Sequence, residues 1–387
     1  MAETYDTLSA LFTDIADAIR EKTGGTAPII ADNFPDVIRE SLQIKPFKPD
    51  GESYLTFSSP NSFTLAVNDA TKHWNGTLEY FSSDKIWSTW DGTTTLSSAM
   101  NGSSNVLYLR GTGNTVITGN KTDYRWVLTG TDIACIGNIE NLLDYATVKS
   151  GAHPTMAVYC YYNMFNGCTG LTQAPALPAT TLATYCYYSM FRNCTSLVQA
   201  PVLPATTLAN SCYNGMFQGC TSLTQAPALP ATTLATYCYG YMFNGCTGLT
   251  QAPALPATTL ANSCYRSMFF GCTSLTQAPA LPATTLATYC YYSMFRNCTS
   301  LTQAPALPAT TLATYCYNSM FSGCSSLKLS AEQTGEYTVA YRIPTEGRGT
   351  TATNALNNIF TSTGGTLKGT LSINITYYLS NTNTVVY

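Results

Sequence analysis

The residues of this 387-residue chain best suited to chemistry are its 15 cysteines and its two histidines, His73 and His153. Apart from Cys135 the thiols come in pairs eight residues apart, such as Cys186 and Cys194, with Met190 midway between them. That spacing is not the C-x-x-C of a zinc site, and eight residues along a helix separate two Cα atoms by about 12 Å, beyond disulfide reach. Thiols of successive copies could come closer, although the odd total leaves one over. Reduced, buried thiols acting as small apolar groups are the favoured reading, ahead of disulfides between copies and of metal binding. Neither histidine lies in a metal-ligand or nucleophile motif, and no Asp or Glu occurs between His153 and Leu327. A glycosidic bond is cleaved by a pair of carboxylates, so a depolymerase would need acids from the flanking segments. The chain is read as a non-enzyme without cofactor or metal.

The paired thiols belong to one unit written seven times. Met164, Met190, Met216, Met242, Met268, Met294 and Met320 are each followed by Phe, a 26-residue period. The unit reads C-Y-x-x-M-F-x-(G/N)-C-(T/S)-(S/G)-L-T-Q-A-P-A-L-P-A-T-T-L-A. A strict period of this length marks a solenoid, whose units bury their apolar faces only by stacking on one another. Positions i, i+4 and i+8, such as Cys186, Met190 and Cys194, predict one buried face of a helical segment, widened by Phe191. The stretch Leu223–Pro230 holds two prolines three residues apart and cannot be helical. It predicts a short extended strand with Leu223 and Leu229 pointing inward.

Around the repeats the chain divides into further parts. Residues 1–45 are a small helical unit, with Leu8, Leu11, Phe12, Ile15 and Ile19 at helical spacing, Gly24-Gly25 as a stop, and a second helix starting near Pro35. It is too small for an adequate core, which suggests docking or oligomerisation over a plain cap. Residues 46–130 open with a Pro/Gly linker and continue with period-two runs, which predict a β-sandwich spacer. Ligand binding by its Trp74, Trp87 and Trp90, as in carbohydrate-binding modules, ranks below ordinary core or surface roles. Residues 131–327 form the solenoid, opening on a worn unit at 138–146, and 328–387 are a C-terminal cap in which Ala355–Phe360 matches C-Y-x-x-M-F. The fold class is thus multidomain: helical unit, β-sandwich and an α/β leucine-rich-repeat-like solenoid with atypical caps.

Net charge is −3, and charged residues make up 10% of the chain. From 154 to 327 the only charges are Arg192, Arg266 and Arg296, which do not form the basic stripe a nucleic acid requires. No 18-residue apolar run predicts a membrane span. The opening residues carry acids on a helical period and do not read as a secretory signal, so the thiols are expected to be made in a reducing compartment.

The segment F-x-(G/N)-C-(T/S)-S-L followed by a strand and a proline resembles the BspA-type leucine-rich repeat. The resemblance covers residues 156–327 and implies a horseshoe or nearly straight rod, about 35 Å long over seven rungs at ordinary strand spacing. It departs from that family where Q-A-P-A-L-P replaces a β-branched run. The opening D-T-L-S-A-L-F-T-D-I-A-D-A-I-R-E-K-T-G-G-T, with A-D-x-F-P-x-x-I after it, is similar to an N-terminal module of structural proteins in tailed phages of gut bacteria. Residues 124–143 are similar to the segment preceding such repeats in phage and gut-bacterial surface proteins.

Comparing the copies with one another shows where they vary. Cys, Met, Phe, Leu and the prolines hold, while changes gather at Tyr162, Tyr188, Arg192, Asn214, Gln218, Tyr241, Arg266, Phe270, Tyr292 and Arg296 and at neighbours such as Asn163, Ser189 and Ser267. These positions are expected to face solvent and to form a candidate ligand surface for glycans or protein epitopes. Drift without purpose weighs about equally. Residues 179–197 and 283–301 are identical, so part of the sameness reflects duplication. The resemblances imply a phage virion appendage, fibre-like or decorating. It would be docked to other virion proteins through residues 1–45, exposed on a particle made in the host cytoplasm, homo-oligomeric and trimeric by analogy, and turned toward a host-surface glycan or protein. A bacterial BspA-like adhesin and a purely architectural capsid or tail protein are the alternatives.

Overall fold

The computed structural model describes Asp17, Pro49 and residues 54–387 except 83, 84, 122 and 368–370. The expected helical unit at 1–45 lies outside the described residues, apart from Asp17.

The first part is a two-layer sandwich. Its strands are β1 (Leu55–Ser59), β2 (Thr64–Val67), β3 (Thr77–Phe81), β4 (Trp87–Trp90), β5 (Leu96–Ser97), β6 (Ala99–Asn101), β7 (Ser104–Thr112), β8 (Trp126–Thr129) and β9 (Ile133–Ile136). One sheet runs β9-β1-β7-β3-β4, with β6 also on β7, and the other runs β5-β2-β8. Alternation puts Leu55, Phe57, Leu65 and Val67 in the core. Trp74 and Trp90 are core residues too, with ring centroids 5.1 Å apart. Burial removes these two from the proposed ligand role. Trp87 is half-buried and stacks under the Arg110 guanidinium at 4.0 Å.

The sandwich is continuous with the repeats. Strand β9 pairs antiparallel with β1 and parallel with β10 (Leu171–Gln173), the first strand of the repeats. The border drawn at 130/131 therefore falls just before a strand that belongs to both parts. A single apolar core runs from Leu55 to Leu379. Helix α1 (Asn141–Lys149), broken at Asp144, lies against β7, where a Cβ on Gly111 would sit 1.7 Å from the Leu142 carbonyl oxygen.

Seven rungs make up the stack, and their expected helical half is not helical. It is a run of tight turns with a left-handed residue every fourth position: Tyr185, Ser189 and Asn193 in the second rung, Tyr237, Tyr241 and Gly245 in the fourth. Backbone N–H groups alternate in destination. Tyr188, Met190, Arg192 and Cys194 donate to the carbonyl three residues back, while Tyr187, Ser189, Phe191 and Asn193 donate to Cys212, Asn214, Met216 and Gln218 of the next rung. The period of four was therefore real but did not signal an α-helix. Repeating turns bury every fourth residue as a helix nearly does, and left-handed φ at Ser, Asn or Gly interrupts helical geometry.

The other half of each rung is also less regular than a strand. Rung joins rung through parallel bridges at Gln173, Gln199, Gln225, Gln251, Gln277 and Gln303, and at Thr181, Thr207, Thr233, Thr259, Thr285 and Thr311. The intervening prolines lack the N–H that a continuous ladder would use. Leu223 and Leu229 point inward as expected.

Both ends of the stack are closed. Ile117, Thr118 and Trp126 of the sandwich donate to the Cys160 and Met164 carbonyls, so the β7–β8 connection covers the first turn layer. The worn unit at 138–146 meets the strand side through the Asn138–Ala176 bridge, and its Ile139 carbonyl accepts from the Tyr161 hydroxyl at 3.3 Å. At the far end Tyr317, Ser319 and Phe321 donate to Ala355, Asn357 and Ile359, which makes 354–362 an eighth turn run. Strand β11 (Gln303–Pro305) belongs to the repeats, and β12 (Lys328–Ser330), β13 (Tyr337–Arg342), β14 (Gly364–Gly365), β15 (Thr376–Ser380) and β16 (Thr384–Val386) complete the cap, with β16 pairing parallel to β11.

Candidate ligand-binding face of the turn layer

Inside each rung the turns aim five side chains at the core, Cys186, Tyr187, Met190, Phe191 and Cys194 in the second, and these stack into columns. Phe165, Phe191, Phe217, Phe243, Phe269, Phe295 and Phe321 lie nearly parallel at 5.6 to 5.8 Å, closed by Trp126 at one end and Phe360 at the other. Tyr161 through Tyr317 form a second buried column at 5.5 to 5.9 Å. All fifteen thiols are free and buried. From the second rung on, the second thiol donates to the Phe carbonyl of the rung before, Cys220 to Phe191 at 3.0 Å for example, while Cys168 of the first rung donates to the Trp126 carbonyl at 3.4 Å. Burial pushes Cys168, Cys212, Cys220, Cys264 and Cys324 up to about 12. Such thiols act as small apolar groups and weak donors.

The same turns direct other side chains outward. Tyr162 and Tyr188 stack at 4.8 Å, and beside them Tyr159 and Tyr185 stack at 4.8 Å. In rungs six and seven Tyr289 and Tyr315 stack at 4.7 Å, with Tyr292 edge-on to Tyr289. Arg266 lies between these groups. Its guanidinium carbon is 4.9 Å from the Tyr292 ring centroid, 5.4 Å from Tyr289 and 5.9 Å from Tyr241, and Nη1 donates to the Tyr237 hydroxyl at 3.3 Å. Arg296 lies over Phe270 at 5.6 Å. A hydrogen bond with Ser263, then the charge and hydrogen bond of Arg266, lower the pKa of Tyr237 against the opposing effect of burial.

Nine of the ten predicted surface residues are thus at least partly accessible: Arg192 and Arg296 exposed, and Tyr162, Tyr188, Gln218, Tyr241, Arg266, Phe270 and Tyr292 half-buried. Asn214 is a correction. It is buried, with Nδ2 donating to the Tyr237 carbonyl at 3.3 Å, because its short side chain lies beneath its longer neighbours. Asn163, Ser189 and Ser267 are buried as well, so variation between copies does not mark exposure at the left-handed positions. Missing from the predicted set are Tyr159, Tyr185, Tyr237, Tyr289 and Tyr315. The signal was present, since T-Y-C alternates with N-S-C at Ser211 and Ser263.

Other polar clusters lie off this face. His73 Nε2 is 3.0 Å from Asp69 on the sandwich, and His153 Nδ1 is 2.8 Å from the buried Glu140 beside a cavity of ≈ 320 Å³ that the repeats also line. Among the described residues no group of three His, Cys, Asp or Glu could hold a metal ion, and no helix is long and apolar enough to cross a membrane. A shallow groove of ≈ 590 Å³ on the proline side is lined by Ile136, Pro175, Pro201 and Val202.

The family model described as BspA type leucine rich repeat region matches in six copies across residues 148–266 and 210–333, so the chain carries a BspA-type leucine-rich-repeat region. No curated protein and no solved structure matches the chain significantly.

Proposed function

We propose that the chain is a surface-displayed adhesion protein that binds glycans along the aromatic and arginine face of its turn layer. The BspA-type repeat region supports an adhesion-like surface role. The observation that carries the choice of face is the set of outward tyrosines stacked at 4.7 to 4.8 Å and interrupted by Arg266. Aromatic rings offer apolar area at little entropic cost, and their hydroxyls and the guanidinium supply the directed hydrogen bonds that a sugar's polar edge needs. A rigid, closed stack fixes these groups before any ligand arrives, which lowers the ordering cost of binding.

The site of display is a phage virion, on the similarity of the opening residues and of 124–143 to phage structural proteins. In that reading residues 1–45 dock a homo-oligomer onto other virion proteins, and no catalysis is involved. Display on a bacterial surface fits the repeat region equally well. Immunogold labelling separates the two, with virions or bacterial envelopes decorated. For binding itself, the full chain should retain host cells and glycans on an array, and a Tyr162→Ala/Tyr188→Ala double variant should lose at least about tenfold in affinity, or about 1.4 kcal/mol. Equal retention by both proteins would move the site elsewhere, and no retention by either would leave the architectural role.

A further inference from the structure

Arg266 differs from the other two arginines of the repeats. Arg192 and Arg296 are exposed, whereas Arg266 is half-buried among tyrosines and its Nε is buried without a hydrogen-bond partner. Among the described residues no carboxylate pairs with its charge, and residues 154–327 contain no Asp or Glu. The cage is built by neighbouring copies: Ser263 stands where the adjacent rungs carry Tyr237 and Tyr289, and the guanidinium occupies that space beside them. Ring faces stabilise a cation but leave the outer edge of the planar fork free for a second partner. A half-buried cation without a counter-ion is costly, and an anion that completes it recovers a charge-assisted hydrogen bond.

We propose that Arg266 is the anion-recognition point of this face and takes the carboxylate of an acidic saccharide, while the flanking tyrosines hold the sugar rings. This rests on the glycan-binding reading above. A carboxylate is favoured because it presents one planar negative charge to one planar fork, on a face that offers no second buried cation for a dianion.

The experiment pairs a uronic-acid oligosaccharide with the same oligosaccharide whose carboxyls are reduced to alcohols, both titrated against the full chain. The wild type should prefer the carboxylated form by about tenfold or more, a preference that falls with added salt. Arg266→Gln should abolish the preference. Arg266→Lys, which keeps charge but not the fork, should keep a smaller preference. Equal binding of the two sugars by the wild type, a sulfated or phosphorylated sugar preferred over both, or a preference that survives Arg266→Gln would overturn the assignment and leave the glycan-binding face intact. Binding of none of these sugars would remove both.

Discussion

The two halves of a rung hold their neighbours differently. In the turn layer of the second rung five N–H groups, from Tyr185 to Asn193, cross to the third, and beneath them Phe, Tyr, Met and Cys columns run the length of the stack. In the proline half the same rungs meet at bridges of Gln199 with Gln225 and Thr207 with Thr233. The layer that carries the variable tyrosines is therefore also the layer that sets register. A display surface gains from this: outward positions can change while alternate backbone groups and inward columns hold the spacing.

The largest effect that would test this contrast comes from alkali. Thiols raised to about 12 in the fold ionise near about 8.5 when unfolded, so the folded form binds more protons and its stability is complete below that value. Stability should fall progressively from about pH 8.5 toward 12, seen as a falling urea midpoint, with the buried tyrosines adding to the loss above about pH 10. At neutral pH a thiol reagent should label none of the fifteen cysteines until the chain is unfolded. A midpoint flat to pH 11, or rapid labelling of folded protein, would mean that the turn layer opens to water.

Next in size is a hole in a column. Phe243→Ala should cost about 3–5 kcal/mol in denaturant unfolding. At the left-handed position Ser267, substitution by Val should cost about 1–2 kcal/mol, while Gly should cost little. The smallest effect belongs to the other half, where Gln225→Ala on the exposed ladder should stay within about 0.5 kcal/mol. A Gln225 cost matching that of Phe243 would erase the distinction between the halves.

Much of this was legible in the residues. The period, the buried Cys, Met and Phe, the inward Leu223 and Leu229, and the match of Ala355–Phe360 all followed from comparing copies. The misreadings share one cause. Spacing by four reports which residues share a face but not the dihedrals that put them there, so Cys186, Met190 and Cys194 suit a helix and a chain of turns alike. Likewise variation reports tolerance, and Asn214 and Ser189 vary under cover of longer neighbours.

By itself the sequence determined that identical units must stack, because each carries an apolar face it cannot bury alone, and that the strand half would be weak, because proline has no N–H to give. Only the tertiary structure decided that alternate amides leave the rung for the next one, and that β9 joins sandwich and repeats in one sheet. It also placed Arg266 inside a cage of tyrosines drawn from the rungs on either side of its own. Those outcomes depend on groups from different rungs, or from sandwich and repeats, meeting in space, which no local pattern of residue types encodes.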